Sequence, residues 1–369
     1  MHRRLAAAVA VASLLLVPSS PPARAAADSR DAAIVLPACP SLREVTPPPG
    51  RPVIDLSAAN ARGDLVGDAS TLSGSAQAYL WPHGQSPRAV VPVRNGWFYP
   101  SGINDRRQIA GTAYDRNGNQ WPILVNRGVA TRLALPTSGL GSGGRAFGIN
   151  DAGTVVGSVF VVDEYNAQIG HAAIWRKGRV VDVGPGPRVE SWAGGVNAGG
   201  DAVGGFIGGN GSVQAMLWPR HGPMAELRNP IPGSSASAGA INDHGLIVGT
   251  VWLGDITSVP VLWRDRQPVR LPFPEQAFDV VADLGHVTER GLLAGDWNDA
   301  NSQKPDATRP GGVLVWQGSR LIRNWDRTEF SPRPPSPPFV VAFTDSGELV
   351  LKAFSVADHR EHGYVCRVK

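Results

Sequence analysis

The stretch Ile149-Asn150-Asp151-Ala152-Gly153-Thr154-Val155-Val156-Gly157 recurs as Ile241-Asn242-Asp243-His244-Gly245-Leu246-Ile247-Val248-Gly249. Weaker copies begin at Ala59-Asn60, Ile103-Asn104, Val196-Asn197, Val287-Thr288 and Phe343-Thr344. Each copy is followed by a second signature, such as Ala78-Tyr79-Leu80-Trp81, Ala172-Ala173-Ile174-Trp175 or Pro260-Val261-Leu262-Trp263. In the second copy Val125 stands at the Trp position, and in the seventh Cys366 does. From the Asn or Thr to that position the intervals are 21, 21, 25, 21, 21, 28 and 22 residues. Self-similarity at a spacing of about 45 residues marks a repeat architecture.

Each unit reads as four short strands. The residues before Asn-Asp form one strand, and Asn-Asp-x-Gly supplies residues that tolerate the left-handed conformation of a tight turn. The Val-Val-Gly segment is the second strand, the Trp segment the third, and a return such as Val180-Val181-Asp182-Val183 the fourth. Four antiparallel strands at this period are one blade of a β-propeller. The expected fold is all-β, a seven-bladed β-propeller of four-stranded blades. Gly102, Gly148, Gly194, Gly195, Gly239 and Ala240, ahead of the turns, suit innermost strands where blades converge. Glycines of the second strand (Gly67, Gly111, Gly157, Gly204, Gly249, Gly295) leave room for a large neighbour across the backbone, with the repeat Trp expected to be that neighbour.

Composition agrees. Of 369 residues 42% are hydrophobic, enough for a packed core, while 44 Gly and 32 Pro argue against long helices. Residues 1–25 read as a signal peptide: His2-Arg3-Arg4, an apolar run from Leu5 to Val17, and an Ala23-Arg24-Ala25 cleavage site. No later run is apolar for about 18 residues, so no transmembrane segment is expected. Loss of Arg3, Arg4 and Arg24 takes the formal net charge from +4 to +1. With no Lys/Arg-rich run and export expected, nucleic-acid binding is excluded.

The Ile-Asn-Asp-x-Gly-x-Val-Val-Gly motif, followed by His171-Ala172-Ala173-Ile174-Trp175, resembles the HAF repeat family, a group of extracellular bacterial repeats. The resemblance spans roughly residues 54–369 and implies an extracellular repeat protein with no assigned activity, so it brings no catalytic residue with it. The seventh unit runs out after Val368-Lys369, before a fourth strand. Residues 26–50 are therefore expected to close the ring, with Ala33-Ile34-Val35-Leu36 as the outer strand of the last blade. Cys39 is expected to bond to Cys366, as an oxidising compartment allows. The propeller itself covers residues 51–369.

The uniform turns, within Asn-Asp-x-Gly and after the Trp, share one face of such a ring. Connections of variable length, between the second and third strands and between blades, share the other. Variable loops on a rigid scaffold are where binding and catalysis concentrate. Trp97, Trp192, Trp297 and Trp325 fall in or beside these loops with Phe98, Tyr99 and Tyr165. Trp97, Tyr99, Tyr165, Trp192, Trp297 and Trp325 are the candidate ligand contacts, since loop aromatics stack on sugar rings or anchor a protein.

Catalytic signatures are scarce. His359-Arg360-Glu361-His362 lacks the helical spacing of a zinc protease. Gly139-Leu140-Gly141-Ser142-Gly143-Gly144 precedes no helix, and Asp115-Arg116-Asn117-Gly118-Asn119 suits a hairpin turn better than a calcium loop. Arg327 to Pro338 reads as an extended loop. No metal or cofactor is expected. The loop carboxylates Asp163, Glu164, Glu190, Asp296, Asp299 and Asp326 are the groups a glycosidase would draw on. The expected protein is secreted and monomeric, a non-catalytic binder of an extracellular carbohydrate or protein through its variable-loop face. The alternative is a secreted hydrolase or lyase acting on polysaccharide near the central channel, by analogy of fold.

Overall fold

A computed structural model describes residues 39, 42–90, 96–137, 142–162, 165, 167–254, 257–273, 280–299, 311–326, 338–355 and 357–367. Seven four-stranded antiparallel sheets follow one another as the blades of a β-propeller. They span residues 53–89, 97–132, 143–182, 191–226, 235–270, 280–326 and 339–367. The last sheet takes its outer strand from Arg43–Glu44, which pairs with Val365 and Tyr364. Closure by the N-terminal segment is thus as expected, but the strand lies later than Ala33–Leu36, which falls outside the described residues. Cys39 and Cys366 are disulfide-bonded with Cα atoms 5.9 Å apart, across a separation of 327 residues. Among the described residues no helix is long and apolar enough to cross a membrane.

Sequence composition follows position in the blade. Second strands such as Val155–Val162 are sandwiched between neighbouring blades and are apolar almost throughout. Outer strands such as Arg179–Asp182 are short and mostly exposed, here with charged residues at both ends. The core is not one body but a set of inter-blade clusters. One joins blades 1 and 2 through Val66, Ala78, Phe98, Ile109 and Ile123, and another joins blades 4 and 5 through Val203, Leu227, Val259 and Trp263.

In every blade the register between inner and second strands slips by one residue, a β-bulge that presses the inner strand onto its neighbour. The second-strand glycine sits opposite the residue just before that slip. A Cβ on Gly157 would lie 2.0 Å from the Arg145 carbonyl oxygen, and one on Gly249 2.0 Å from that of Ser237. The large neighbour is therefore the inner strand's own backbone, not the repeat Trp.

The tryptophans do something else. Trp81, Trp175, Trp218, Trp263 and Trp316 donate their indole N–H to the carbonyls of Thr46 (3.0 Å), Ala134 (2.7 Å), Val183 (2.9 Å), Arg228 (2.8 Å) and Pro272 (2.7 Å). Each acceptor lies one or two residues beyond the outer strand of the preceding blade, so each indole clips its blade to the one before. Val125 and Cys366 have no such donor, and Cys366 holds the N-terminal segment covalently instead.

Around the axis the repeat asparagines form a second set of links. Nδ2 of Asn60, Asn104, Asn150, Asn197 and Asn242 donates to the main-chain carbonyl of Asn104 (3.0 Å), Asn150 (3.0 Å), Asn197 (2.7 Å), Asn242 (3.2 Å) and Thr288 (3.0 Å). Oδ1 of the same amide accepts from its own turn, as at Leu246 N–H and His244 N–H for Asn242. Thr288 and Thr344 keep the turn bond through Oγ1, to Leu292 N–H and Glu348 N–H, but have no donor for the next blade.

Asn150→Thr should therefore keep the turn and lose one inter-blade bond, lowering stability by about 1–2 kcal/mol. Trp263→Phe, which strands the Arg228 carbonyl, should cost about 1–3 kcal/mol. Urea unfolding of both variants beside the native chain checks these values, and no change in either would refute the corresponding link.

Candidate functional site

The blade topology sorts the loops as expected. Hairpins such as residues 60–64 and 82–87 lie at one end of their strands, and the connections 71–75 and 90–96 at the other. On the latter, variable face, blades 1 and 2 enclose a cleft of about 300 Å³. Arg51, Asp68, Gln77, Trp97 and Tyr99 are among its lining residues.

Trp97 and Tyr99 begin the inner strand of blade 2, Trp97–Ile103, where residues two apart share a face. The alternate residues Phe98 and Pro100 are buried, so the two aromatics are turned outward, 51% and 47% exposed. Tyr99 packs edge-on against Tyr114, with ring centroids 5.4 Å apart. Arg51 spends its guanidinium on the carbonyls of Ala69 and Ser75.

Asp68 follows the repeat glycine on the second strand of blade 1 and faces Asp55 across the ladder. Burial, with the Asp55 charge adding to it, pushes the Asp68 carboxyl up to about 7. Asp55 is in turn held by Lys352 of blade 7, with Nζ 2.8 Å from Oδ1. Glu361 of blade 7 lies 3.9 Å from the same ammonium, and burial followed by Asp55 raises its pKa.

Blade 6 repeats this pair, with Asp283 facing Asp296. Asp296 accepts the Val340 N–H at 3.0 Å, and Asp283 accepts the Thr250 hydroxyl at 2.8 Å. Burial is again the main cause that lifts Asp296 to about 7; the Val340 N–H opposes it and the Asp283 charge adds to it. At the same register the other second strands carry Thr112, Ser158, Gly205, Thr250 and Lys352.

The other candidate aromatics do not join Trp97 and Tyr99 in this cleft. Tyr165 is 76% exposed in a blade 3 loop, with the Arg188 guanidinium 5.1 Å from its ring centre. Trp192 is half-buried on the inner strand of blade 4, where its ring occupies the space a Cβ on Gly205 would need. Trp297 belongs to the second strand of blade 6, packs on the blade 5–6 cluster and donates to Asn324 Oδ1 at 3.0 Å. Trp325 is corrected outright. It is 1% exposed in the cluster joining blades 6 and 7, because the outer strand of blade 6 runs to Asp326 and turns that ring inward.

Of the expected loop carboxylates, Asp163, Glu164 and the side chains of Asp299 and Asp326 lie outside the described residues, Glu190 is exposed, and Asp296 is on a strand. His362 is committed on both nitrogens, Nδ1 to Glu44 at 2.7 Å and Nε2 to Asp358 at 3.1 Å, and so ties down the closing strand. Asp115 accepts the N–H groups of Asn117 and Asn119, the hairpin turn anticipated there. Gly139 to Gly141 and residues 327–337 lie outside the described residues.

Asp68, Asp55, Lys352 and Arg51 were not singled out by sequence reasoning. The available signal was the residue after the repeat glycine, which is Asp only in Gly67-Asp68 and Gly295-Asp296.

No family model matches the chain, and no curated protein sequence does. Among solved structures it is similar to a prolyl endopeptidase, with a TM-score of 0.57 and 9% identity over 86% of this chain and 50% of that one. It is also similar to an oligogalacturonate lyase in complex with manganese, with a TM-score of 0.51 and 10% identity over 89% and 98% of the two chains. The chain thus spans half the length of the peptidase, and at these identities the likeness shows the fold alone.

The raised carboxyls give a pH signature. A carboxyl near 7 in the folded chain and near 3.9 in the unfolded chain favours folding at low pH, and that contribution is lost as pH rises through 7. Asp296→Asn keeps an acceptor for Val340 N–H and removes the titration. Its stability should fall less than the native chain's between about pH 4 and about pH 8, by about 1–3 kcal/mol. Urea unfolding across that range checks it, and parallel slopes would refute it.

Proposed function

We propose that the protein is a secreted β-propeller that binds an extracellular carbohydrate through its variable-loop face, at the cleft between blades 1 and 2. The observation that carries this reading is the pair of outward-turned aromatics, Trp97 and Tyr99, on one face of one strand beside the polar groups of Asp68 and Gln77. Flat aromatic faces with a few placed polar groups suit a sugar ring, whose carbon-bound hydrogens stack while its hydroxyls bond. Leu72, Tyr165, Trp252 and Leu253, also exposed, lie in or beside loops of the same face. Secretion rests on the leader-like residues 1–25 and on the disulfide. The likeness to HAF repeats points the same way.

A second reading, cleavage of a polysaccharide, is favoured by the facing carboxyl pairs Asp55/Asp68 and Asp283/Asp296. Pairs whose environments push two carboxyls apart in pKa are how acid and base roles are divided.

A glycan array followed by calorimetry on the best ligand tests the binding reading. Trp97→Ala should weaken that ligand at least about tenfold, with thermal unfolding little changed because the ring is half-exposed. Undiminished binding in Trp97→Ala would remove the cleft as the site. Release of reducing ends by the native chain, abolished in Asp68→Asn and Asp296→Asn, would favour cleavage instead.

A further inference from the structure

The cleft between blades 1 and 2 contains a carboxyl, Asp68, to which no cation among the described residues is bonded. Asp68 lines it, and among the described residues no hydrogen-bond donor or cation pairs with its side chain. Arg51 lines the cleft too, but its guanidinium is bonded to the Ala69 and Ser75 carbonyls. The nearest ammonium, Lys352 Nζ, is bonded to Asp55 and also faces Glu361, so one cation already serves two other carboxyls. Blade 2 contributes the exposed rings of Trp97 and Tyr99 to the same lining as Asp68, with Tyr114 packed against Tyr99. Aromatic faces attract a cation through the ring quadrupole, and a carboxylate beside them adds charge and a hydrogen-bond acceptor.

We propose that the cleft takes a protonated amine, carried on a deacetylated amino sugar, with Asp68 as its counter-ion and the Trp97 and Tyr99 rings as its walls. This rests on the carbohydrate reading and narrows it. The cleft, about 300 Å³, is at the small end of ligand sites and suits a short stretch of sugar residues rather than an extended chain.

A proton signature follows. Burial and Asp55 hold the Asp68 carboxyl near 7, and a bound ammonium would draw it down. The groups facing Asp68 are Asp55 on its own blade, Tyr99 from blade 2, with Tyr114 acting through Tyr99, and Arg51 ahead of blade 1. Lys352 and Glu361 of blade 7 act through Asp55. On the acid side of about 7, where the Asp68 carboxyl is mostly protonated and the amine of an amino sugar is still charged, binding should therefore release a proton and strengthen as pH rises, until the amine itself loses its charge.

Calorimetry on the full chain, in buffers of different ionisation enthalpy, with glucosamine oligomers and N-acetylglucosamine oligomers of equal length, is the test. At about pH 6 the native chain should prefer the amino oligomer by about tenfold or more, with proton release. Asp68→Asn, nearly isosteric, should bind the two oligomers about equally and lose the proton release. Circular dichroism and urea unfolding of Asp68→Asn guard against a folding artefact. An equal or inverted preference in the native chain, or a preference that survives Asp68→Asn, overturns the amine while leaving a sugar site in place. Failure of the native chain to bind either oligomer overturns the amino sugar while the glycan array decides the carbohydrate reading, and binding of oligolysine alone overturns the amino sugar in favour of a peptide.

Discussion

One primary amide, repeated in the first five blades of the ring, does two jobs that no other side chain of its size does together. The oxygen of Asn150 or Asn242 closes its own hairpin, and the nitrogen reaches the next blade's main chain. An aspartate would supply only acceptors and a threonine only the turn bond. The amide couples the local geometry of each hairpin to the spacing between blades, so turn conformation and ring closure are set by the same atoms.

At the rim the tryptophan indoles complement this. Each fills the apolar gap between neighbouring blades and donates to a carbonyl that would otherwise be unpaired beyond an outer strand. Where the repeat decays, some of its links persist and an ion pair is added. Between blades 6 and 7 the Glu289 N–H bonds to Asp345, and across the seam of blades 7 and 1 Lys352 meets Asp55 while Trp81 reaches Thr46. A ring assembled from one chain needs its last interface to be no weaker than the others. Here that interface carries an ion pair, an indole clip and, within blade 7, a disulfide.

The candidate site also lies where the repeat departs from its consensus. Most second strands carry a small or hydroxylated residue after the glycine, whereas blades 1 and 6 carry Asp68 and Asp296 at that register. The position after the glycine faces the next blade, as the Asp296 bond to Val340 and the meeting of Asp68 with Trp97 and Tyr99 show. A carboxyl there is partly removed from water, which is why burial leads the causes that raise it. The scaffold is periodic, and the chemistry comes from substituting one column of it.

The residues alone determined the blade count, the four strands of each unit, the division of turns into a uniform and a variable face, and the pairing of Cys39 with Cys366. These follow from period, turn chemistry and the order of two cysteines, all of which are local or one-dimensional. The tertiary structure decided what touches what. It assigned the glycines to the bulged inner strand rather than to Trp, moved the closing strand to Arg43–Glu44, and buried Trp325 in an interface. It also brought Trp97 and Tyr99 beside Asp68, which lies in the neighbouring blade. Strand periodicity tells which residues share a face, but which neighbour that face meets depends on twist, bulge and ring closure. Those are properties of the whole assembly, because each blade's position is fixed only by the two beside it.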